Sequence, residues 1–149
     1  MLLILVAVMI VIVDQASKHL VVSHIAYGET LSLVPNILSL THVRNFGAAF
    51  GLFYRQRVLF FGAMLILVVA VVVFWKEIVR GGRFAVWATA CVLGGAFGNF
   101  LDRIRLGYVV DFVDVGFWPV FNVADSAIVV GMAVLSYVIL RAELRWARR

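Results

Sequence analysis

Phe84-Ala85-Val86-Trp87-Ala88-Thr89-Ala90-Cys91-Val92-Leu93-Gly94-Gly95-Ala96-Phe97-Gly98-Asn99-Phe100-Leu101 is the stretch that decides the fold. It is uncharged over nearly the ~20 residues a helix needs to cross a bilayer, and Asp102 and Arg103 close it at one end. The whole chain shares its character, with 64% apolar and 14% charged residues, where soluble domains carry roughly 45–50% and about 25%. Lipid is therefore the main solvent. The net charge of +5 does not call for a nucleic-acid partner, because the bases sit in short clusters beside apolar runs, as membrane topology requires. The length of 149 residues favours one domain, 1–149.

Three further apolar runs lie on either side of the quoted one. The expected fold class is an all-α integral membrane protein with spans at about 1–22, 58–75, 84–101 and 123–140. The first run is interrupted by Asp14, Gln15 and Lys18. It lacks a basic leading region and a small-x-small cleavage site, so it reads as a retained span rather than a cleavable signal. The segment 76–83 carries Lys76, Arg80 and Arg83, and the tail carries Arg141, Arg145, Arg148 and Arg149. Their density beside spans places both termini and the middle loop in the cytoplasm, and the segments 23–57 and 102–122 outside.

The outer segments are patterned. Thr30 to Val34 and Ile37 to Val43 alternate apolar and polar residues around Pro35-Asn36, which predicts a short β-hairpin. Gly107 to Val115 has the β-branched and aromatic content of another extended piece, and Trp118-Pro119 marks a turn.

Polar residues gather toward one membrane face whatever the orientation. Asp14, Gln15 and Lys18 lie in the outer half of the first span, and Asn45 precedes the second. Asn99, Asp102 and Arg103 close the third; Asp111, Asp114, Asn122 and Asp125 lead into the fourth. Ionisable groups at membrane depth are costly and point to function. Asp14 and Lys18 are four apart, so an internal ion pair that fixes helix packing is open to them. Arg103 shares a helix face with Asn99 and suits a polar pocket, whereas Arg105 suits snorkelling toward the headgroups.

Two carboxylates that approach closely cannot both ionise: one keeps its proton and the other acts as a base toward water. Asp111 and Asp125 fit that use. Spacing alone also leaves Asp125 as a favourable charge at a helix N-terminus, Asp111 and Asp114 as solvated loop residues, and the whole set as an ion pathway. Other chemistries fit worse. No zinc-peptidase motif is present, His19, His24 and His42 are scattered and read as surface or interfacial, and Ser126 has no evident histidine partner. Cys91, the sole cysteine, lies in an apolar run and reads as a buried, inert thiol.

These residues fall into five motifs: Asp14-Gln15-Ala16-Ser17-Lys18; Asn45-Phe46-Gly47-Ala48-Ala49-Phe50; Gly94 to Arg103; Val109-Val110-Asp111-Phe112; and Phe121-Asn122-Val123-Ala124-Asp125. In that order they resemble the bacterial lipoprotein signal peptidases, also called signal peptidase II or prolipoprotein signal peptidases. The resemblance implies an aspartic endopeptidase of the cytoplasmic membrane that cuts a prolipoprotein just before its diacylglyceryl-modified cysteine. It implies Asp111 and Asp125 as the catalytic dyad, Asn99, Arg103 and Asn122 as supporting or substrate-binding residues, and Asp14, Lys18 and Asn45 as residues that hold the pocket together. It further implies four transmembrane helices with a small extracytoplasmic β-cradle, inhibition by globomycin, a monomer, and no metal or cofactor. The segment 30–53 is expected to cover the site, with Gly47 and Gly51 giving it backbone freedom. The interval from Asp111 to Asp125 is short for the family, which leaves the loop over the site undefined.

The rival from another class is a small ion or proton conductor lined by Asp14, Lys18, Asp111 and Asp125. It predicts polar residues through the full membrane depth, and the inner halves of the four runs are almost wholly apolar. A non-catalytic scaffold leaves the clustered aspartates and asparagines without a purpose.

Overall fold

The computed structural model describes residues 1–47 and 57–146. Ala48 to Phe50 of the second motif, Gly51, and the tail bases Arg148 and Arg149 lie outside the described residues, as does the Arg145 side chain. The elements in order are α1 (Leu2–His24), β1 (Thr30–Val34), β2 (Leu38–Asn45), α2 (Arg57–Val73), α3 (Trp75–Arg80), α4 (Arg83–Arg105), β3 (Val109–Asp114) and α5 (Val123–Trp146). Among the described residues, three helices are long and apolar enough to cross a membrane: α1, α4, and α5 over Val123–Leu144. The second expected span is the shorter apolar helix α2, of 17 residues. The stretch expected as a basic loop, 76–83, is largely helical: α3 continues the chain after Phe74, and Gly81-Gly82 makes the turn into α4. Gly82 has φ of +84°, a left-handed conformation that glycine adopts without steric cost.

The burial pattern is inverted relative to a water-soluble bundle. In α1 the buried residues are Asp14, Lys18 and Val21, while Ile4, Leu5, Met9 and Ile12 are exposed. That suits a helix whose apolar side faces acyl chains and whose charges turn toward other helices. α4 is the central helix and packs most extensively against α5 and α1. Its buried face is built from small residues, including Ala85, Ala88, Gly94, Gly95 and Gly98. Small residues let backbones approach closely where lipid gives no hydrophobic drive to association. A Cβ on Gly94 would meet the carbonyl oxygen of Ala7 at 2.7 Å, and one on Gly98 would lie 2.6 Å from Asp14 Oδ2. A Cβ on Gly95 would collide with the carbonyl oxygen of Ala124. The glycines of α4 thus set how closely α1 and α5 approach it.

The sheet is three-stranded and antiparallel, in the order β1-β2-β3. The hairpin β1–β2 falls where alternation predicts it. Its turn places Pro35 and Asn36 at the two central positions, with Asn36 at φ of +60° and Ile37 N–H donating to Val34 O at 3.0 Å. Proline followed by a left-handed asparagine is the pattern of a type II turn. β3 is the extended piece expected over Gly107 to Val115, and it pairs Asp111 with Val43 and Val109 with Asn45. Beneath the sheet, Val21, Ile25 and Phe112 form a small core joined by Leu40, Val113 and Val123, which fixes the strands to the ends of α1 and α5.

The short interval between Asp111 and Asp125 proves long enough. Phe121 folds back onto β3, exchanging hydrogen bonds with Val113 at 2.7 and 3.1 Å and accepting one from Phe112 at 3.0 Å. Gly116, at φ of +79°, allows the reversal. The return delivers Asn122 to the start of α5.

Candidate active site

Asp111 sits in β3, 2% exposed, and is no solvated loop residue. Each of its oxygens is held by an amide: Asn122 Nδ2 donates to Oδ1 at 2.6 Å, and Asn45 Nδ2 to Oδ2 at 2.8 Å. Burial pushes its carboxyl up to about 6. The amide of Asn45 pulls the other way, the neighbouring charge of Asp125 adds to the rise, and the amide of Asn122 and the charge of Lys18 lower it.

Asp125 occupies the third position of α5. Asn122 caps that helix: its Oδ1 accepts from Asp125 N–H at 2.9 Å, and Asp125 Oδ2 accepts in return from Asn122 N–H at 3.3 Å. This reciprocal pair is a capping box. The helix-end explanation of Asp125 therefore holds, but it accounts for only one carboxylate oxygen. The other, Oδ1, accepts from Asn99 Nδ2 at 2.8 Å and so turns toward α4.

The two aspartates are linked through asparagines. Asn122 Nδ2 donates both to Asp111 Oδ1 and to Asn99 Oδ1, the latter at 3.1 Å, while Asn99 reaches Asp125. Asn122 is fully buried and Asn99 is 6% exposed. Both carboxylates line one cavity of about 740 Å³, together with Asn45, Asn99, Arg103 and the apolar wall of Phe60, Met64 and Leu67 from α2. Trp118, Pro119 and Phe121 close another side. One end of the cavity is thus polar and the remainder apolar, which suits a ligand with a polar reacting centre and a long apolar part.

Arg103 belongs to the cavity, not to the headgroups. Its Nη2 donates to Gly47 O at 3.2 Å and its Nη1 to Asn99 O at 3.3 Å, and the guanidinium lies 3.9 Å from the centroid of the Phe60 ring. It ties β2's end, α4 and α2 together.

Asp14 and Lys18 form the expected ion pair at 2.8 Å, and they do not line the cavity. They belong to a second buried cluster behind it. Lys18 Nζ also meets Asp102 Oδ2 at 2.9 Å. Gln15 Nε2 donates to Asp102 Oδ1 at 2.9 Å and to Asp14 Oδ2 at 3.2 Å. Asp14 Oδ1 accepts from Ala124 N–H at 3.0 Å, within the first turn of α5. Asp102 and Gln15 are the partners that pattern reading assigned no role. The available signal was their place at the outer edges of α4 and α1, beside Asn99 and Asp14.

His42 is buried, contrary to the surface position expected for it. It is only 4% exposed, its Nδ1 bonds to Ile25 O at 2.9 Å, and its Nε2 has no hydrogen-bond partner among the described residues. Among those residues, no group of three or more His, Cys, Asp or Glu side chains is placed to hold a metal ion. Cys91 is buried, and Ser126 donates to Asn122 O at 3.0 Å.

The family model for Signal peptidase (SPase) II matches residues 6–141. The chain belongs to the signal peptidase II family. Its curated relatives include the lipoprotein signal peptidase of Halalkalibacterium halodurans, 43% identical over 143 residues and covering 93% of this chain and 92% of that one. That of Enterococcus faecalis is 42% identical over 142 residues (91% and 86%), and that of Halothermothrix orenii is 37% identical over 131 residues (88% and 90%). Two solved structures of bacterial membrane enzymes share the fold at 33% identity. One has a TM-score of 0.86 and covers 93% of this chain and 87% of that one; the other has 0.83, with 93% and 92%. Membership of the signal peptidase II family and three bilayer-length apolar helices make the protein a bacterial membrane peptidase.

Proposed function

We propose that the protein is an aspartic endopeptidase that removes the signal peptide from diacylglyceryl-modified prolipoproteins, cutting just before the lipidated cysteine. Family membership supports the removal of signal peptides from prolipoproteins. The observation that carries the aspartic mechanism is that Asp111 and Asp125 line one cavity and are bridged by Asn99 and Asn122, with no cation paired to either among the described residues.

In this reading the pair shares one proton. The ionised member takes a proton from a water lying between them, and the protonated member donates toward the scissile carbonyl oxygen as the water attacks its carbon. Collapse of the tetrahedral intermediate passes a proton to the leaving amine, and the dyad returns to its singly protonated state. Burial and mutual repulsion favour that state, because each disfavours the second negative charge. The two protons come off as steps of the pair rather than of either residue. No metal or cofactor takes part.

The apolar wall of α2 and α5 would receive the signal helix and acyl chains sideways from the bilayer, leaving the scissile bond at the polar end. In this reading α2 is the second of four spans, both termini would lie in the cytoplasm and the site at the extracytoplasmic face of the cytoplasmic membrane, in a single domain acting as a monomer; the bases of the segment 76–83 and of the tail support that orientation. Globomycin would occupy the same cavity. The ion-conductor alternative is disfavoured by the depth of the polar groups: the buried face of α4 from Ala85 to Val92 has Thr89 as its single polar side chain, and that hydroxyl bonds to Ala85 O at 2.8 Å.

The test is cleavage of a purified, lipidated prolipoprotein in detergent. Wild type should release the signal peptide, and Asp111→Asn and Asp125→Asn should each abolish release while eluting and melting as folded protein. Retained turnover in either variant would remove the dyad assignment.

A further inference from the structure

Lys18 has three N–H donors and three acceptors: Asp14 Oδ2 at 2.8 Å, Asp102 Oδ2 at 2.9 Å and Asn99 Oδ1 at 3.0 Å. Two of these bonds stay within the cluster behind the cavity. The third crosses to a residue that touches the candidate dyad. An ammonium can only donate, so it requires that the oxygen of the Asn99 amide face it. Asn99 Oδ1 then holds two donors, Lys18 Nζ and Asn122 Nδ2, and Asn99 Nδ2 is turned to Asp125 Oδ1. A cation on the oxygen end of an amide polarises it and strengthens donation from its nitrogen end. Lys18 is 3% exposed, so water does not screen this effect.

We infer that Lys18 is a positioning residue for the reaction, acting through Asn99: it fixes the direction of the Asn99 amide and strengthens the hydrogen bond that amide donates to Asp125. The inference rests on the dyad reading above and adds a role for a residue that does not touch substrate. Asp14 supports the same arrangement from the other side, since its Oδ1 receives Ala124 N–H at 3.0 Å and holds the first turn of α5, where Asp125 sits. The charged and titratable groups around the relay are Asp14 on α1, Asp102 and Arg103 on α4, Asp111 on β3 and Asp125 on α5.

The experiment is a double-mutant cycle on cleavage of a diacylglyceryl-modified prolipoprotein, with Lys18→Met and Asn99→Ala alone and together. Lys18→Met should lower kcat by about ten- to a hundredfold, the worth of one charge-assisted hydrogen bond, with KM within about twofold. In the Asn99→Ala background the same substitution should cost less than about threefold, because the path is already cut. Equal losses in both backgrounds would overturn the inference, since a merely structural lysine would act independently of Asn99. A second readout is the alkaline limb of the kcat/KM profile, which should move to higher pH in Lys18→Met, because the charge of Lys18 holds the proton affinity of Asp111 down. An unmoved limb would also overturn it.

Where Lys18→Met does not fold, Lys18→Met/Asp102→Asn keeps the formal charge of the cluster and takes its place in the cycle. Where turnover in Asn99→Ala is too low to follow, the protonated-carboxyl infrared band, assigned with Asp111→Asn, reports the dyad without catalysis; it should titrate higher once Lys18 is replaced, and no change would count against the relay. Absence of cleavage by wild type sinks the peptidase reading itself, whereas a cleaving wild type with independent Lys18 and Asn99 effects sinks only the relay.

Discussion

Two carboxylate clusters lie side by side at the same end of the bundle, and their charges are met in different ways. Behind the cavity, Asp14 and Asp102 share the ammonium of Lys18 and the amide of Gln15. At the cavity, Asp111 and Asp125 are met by the amides of Asn45, Asn99 and Asn122. Arg103 is near enough to be felt electrostatically but gives its hydrogen bonds to backbone carbonyls. A carboxylate paired with a buried cation has its charge met inside the fold, and such a pair suits packing between helices. Among the described residues the hydrogen bonds to Asp111 and Asp125 come from neutral donors, and burial raises the proton affinity of Asp111, which suits it to proton transfer. The two clusters are chemically alike in their acids; among the described residues a buried lysine pairs directly with the acids of one and reaches the other only through the Asn99 amide.

The largest effect that tests this contrast is on turnover. Asp111→Asn or Asp125→Asn should lower cleavage by at least about 10²–10⁴-fold, the range for loss of a positioned acid or base. Each substitution turns an amide N–H toward a donor that a carboxylate oxygen accepts from in the wild type, at a cost of about 1–3 kcal/mol, offset at Asp111 by removal of a buried charge. A variant that lost more stability than Asp14→Ala would place that aspartate in the structural cluster instead.

Asp14→Ala makes the opposite prediction. It removes one partner of a buried pair, leaves Lys18 short of an acceptor and uncaps Ala124 N–H. The expected cost is about 3–5 kcal/mol of stability, read as a fall in thermal midpoint in detergent. Protein that does fold should cleave more slowly than wild type but far faster than Asp111→Asn, because the first turn of α5 that carries Asp125 loses one tether. Asp14→Ala with normal stability would show that the cluster is not held by charge pairing.

The pH dependence of stability separates the clusters further. Asp111 is raised from 3.8 to about 6 by burial, so its neutral form is the one the fold favours. That contribution is present in full below about 3.8 and is lost as pH rises through about 6. It is at most on the order of 3 kcal/mol. Wild type should therefore lose stability relative to Asp111→Asn across that window, followed by thermal melting at fixed ionic strength. A difference that stayed flat across the window would remove the claim that Asp111 is proton-retaining.

Much of this was legible in the sequence because a bilayer makes polar positions conspicuous. Asp14, Lys18, Asn99 and Arg103 stand out against apolar runs, and helical spacing pairs them correctly. The hairpin was readable from Pro35-Asn36 and alternation, and β3 from the β-branched run at Val109-Val110. Three features were not. Asp102 and Gln15 enter the ion cluster through contacts between α1 and α4, more than eighty residues apart in the chain, and no local period encodes which of several polar residues at two helix ends will meet. His42 reads as a polar residue in an outer strand, yet the Val21–Ile25 end of α1 buries it. α3 reads as a loop because Lys76, Glu77 and Arg80 break the apolar run and six residues are too few for a helical period to show. As for the candidate dyad, spacing shows that two acids reach one face, but the asparagine bridge between them depends on how Phe121 returns along β3.

The smallest prediction bears on the charge balance of the structural cluster. Two carboxylates and one ammonium leave a formal negative charge buried behind the cavity, and Arg105 is the next cation along α4. Its Nη1 reaches Gln15 Oε1 at 3.4 Å from an exposed position. A contact of that length to a neutral amide, in reach of water, is worth little, and Arg105→Ala should change stability by no more than about 0.5 kcal/mol with cleavage unchanged. If the loss instead approaches that of Asp14→Ala, Arg105 is the second countercharge, acting through the Gln15 amide as Lys18 acts through Asn99. The contrast between the clusters would then be two cations against none among the described residues, and the charge balance behind the cavity would run through Gln15 as well as Lys18.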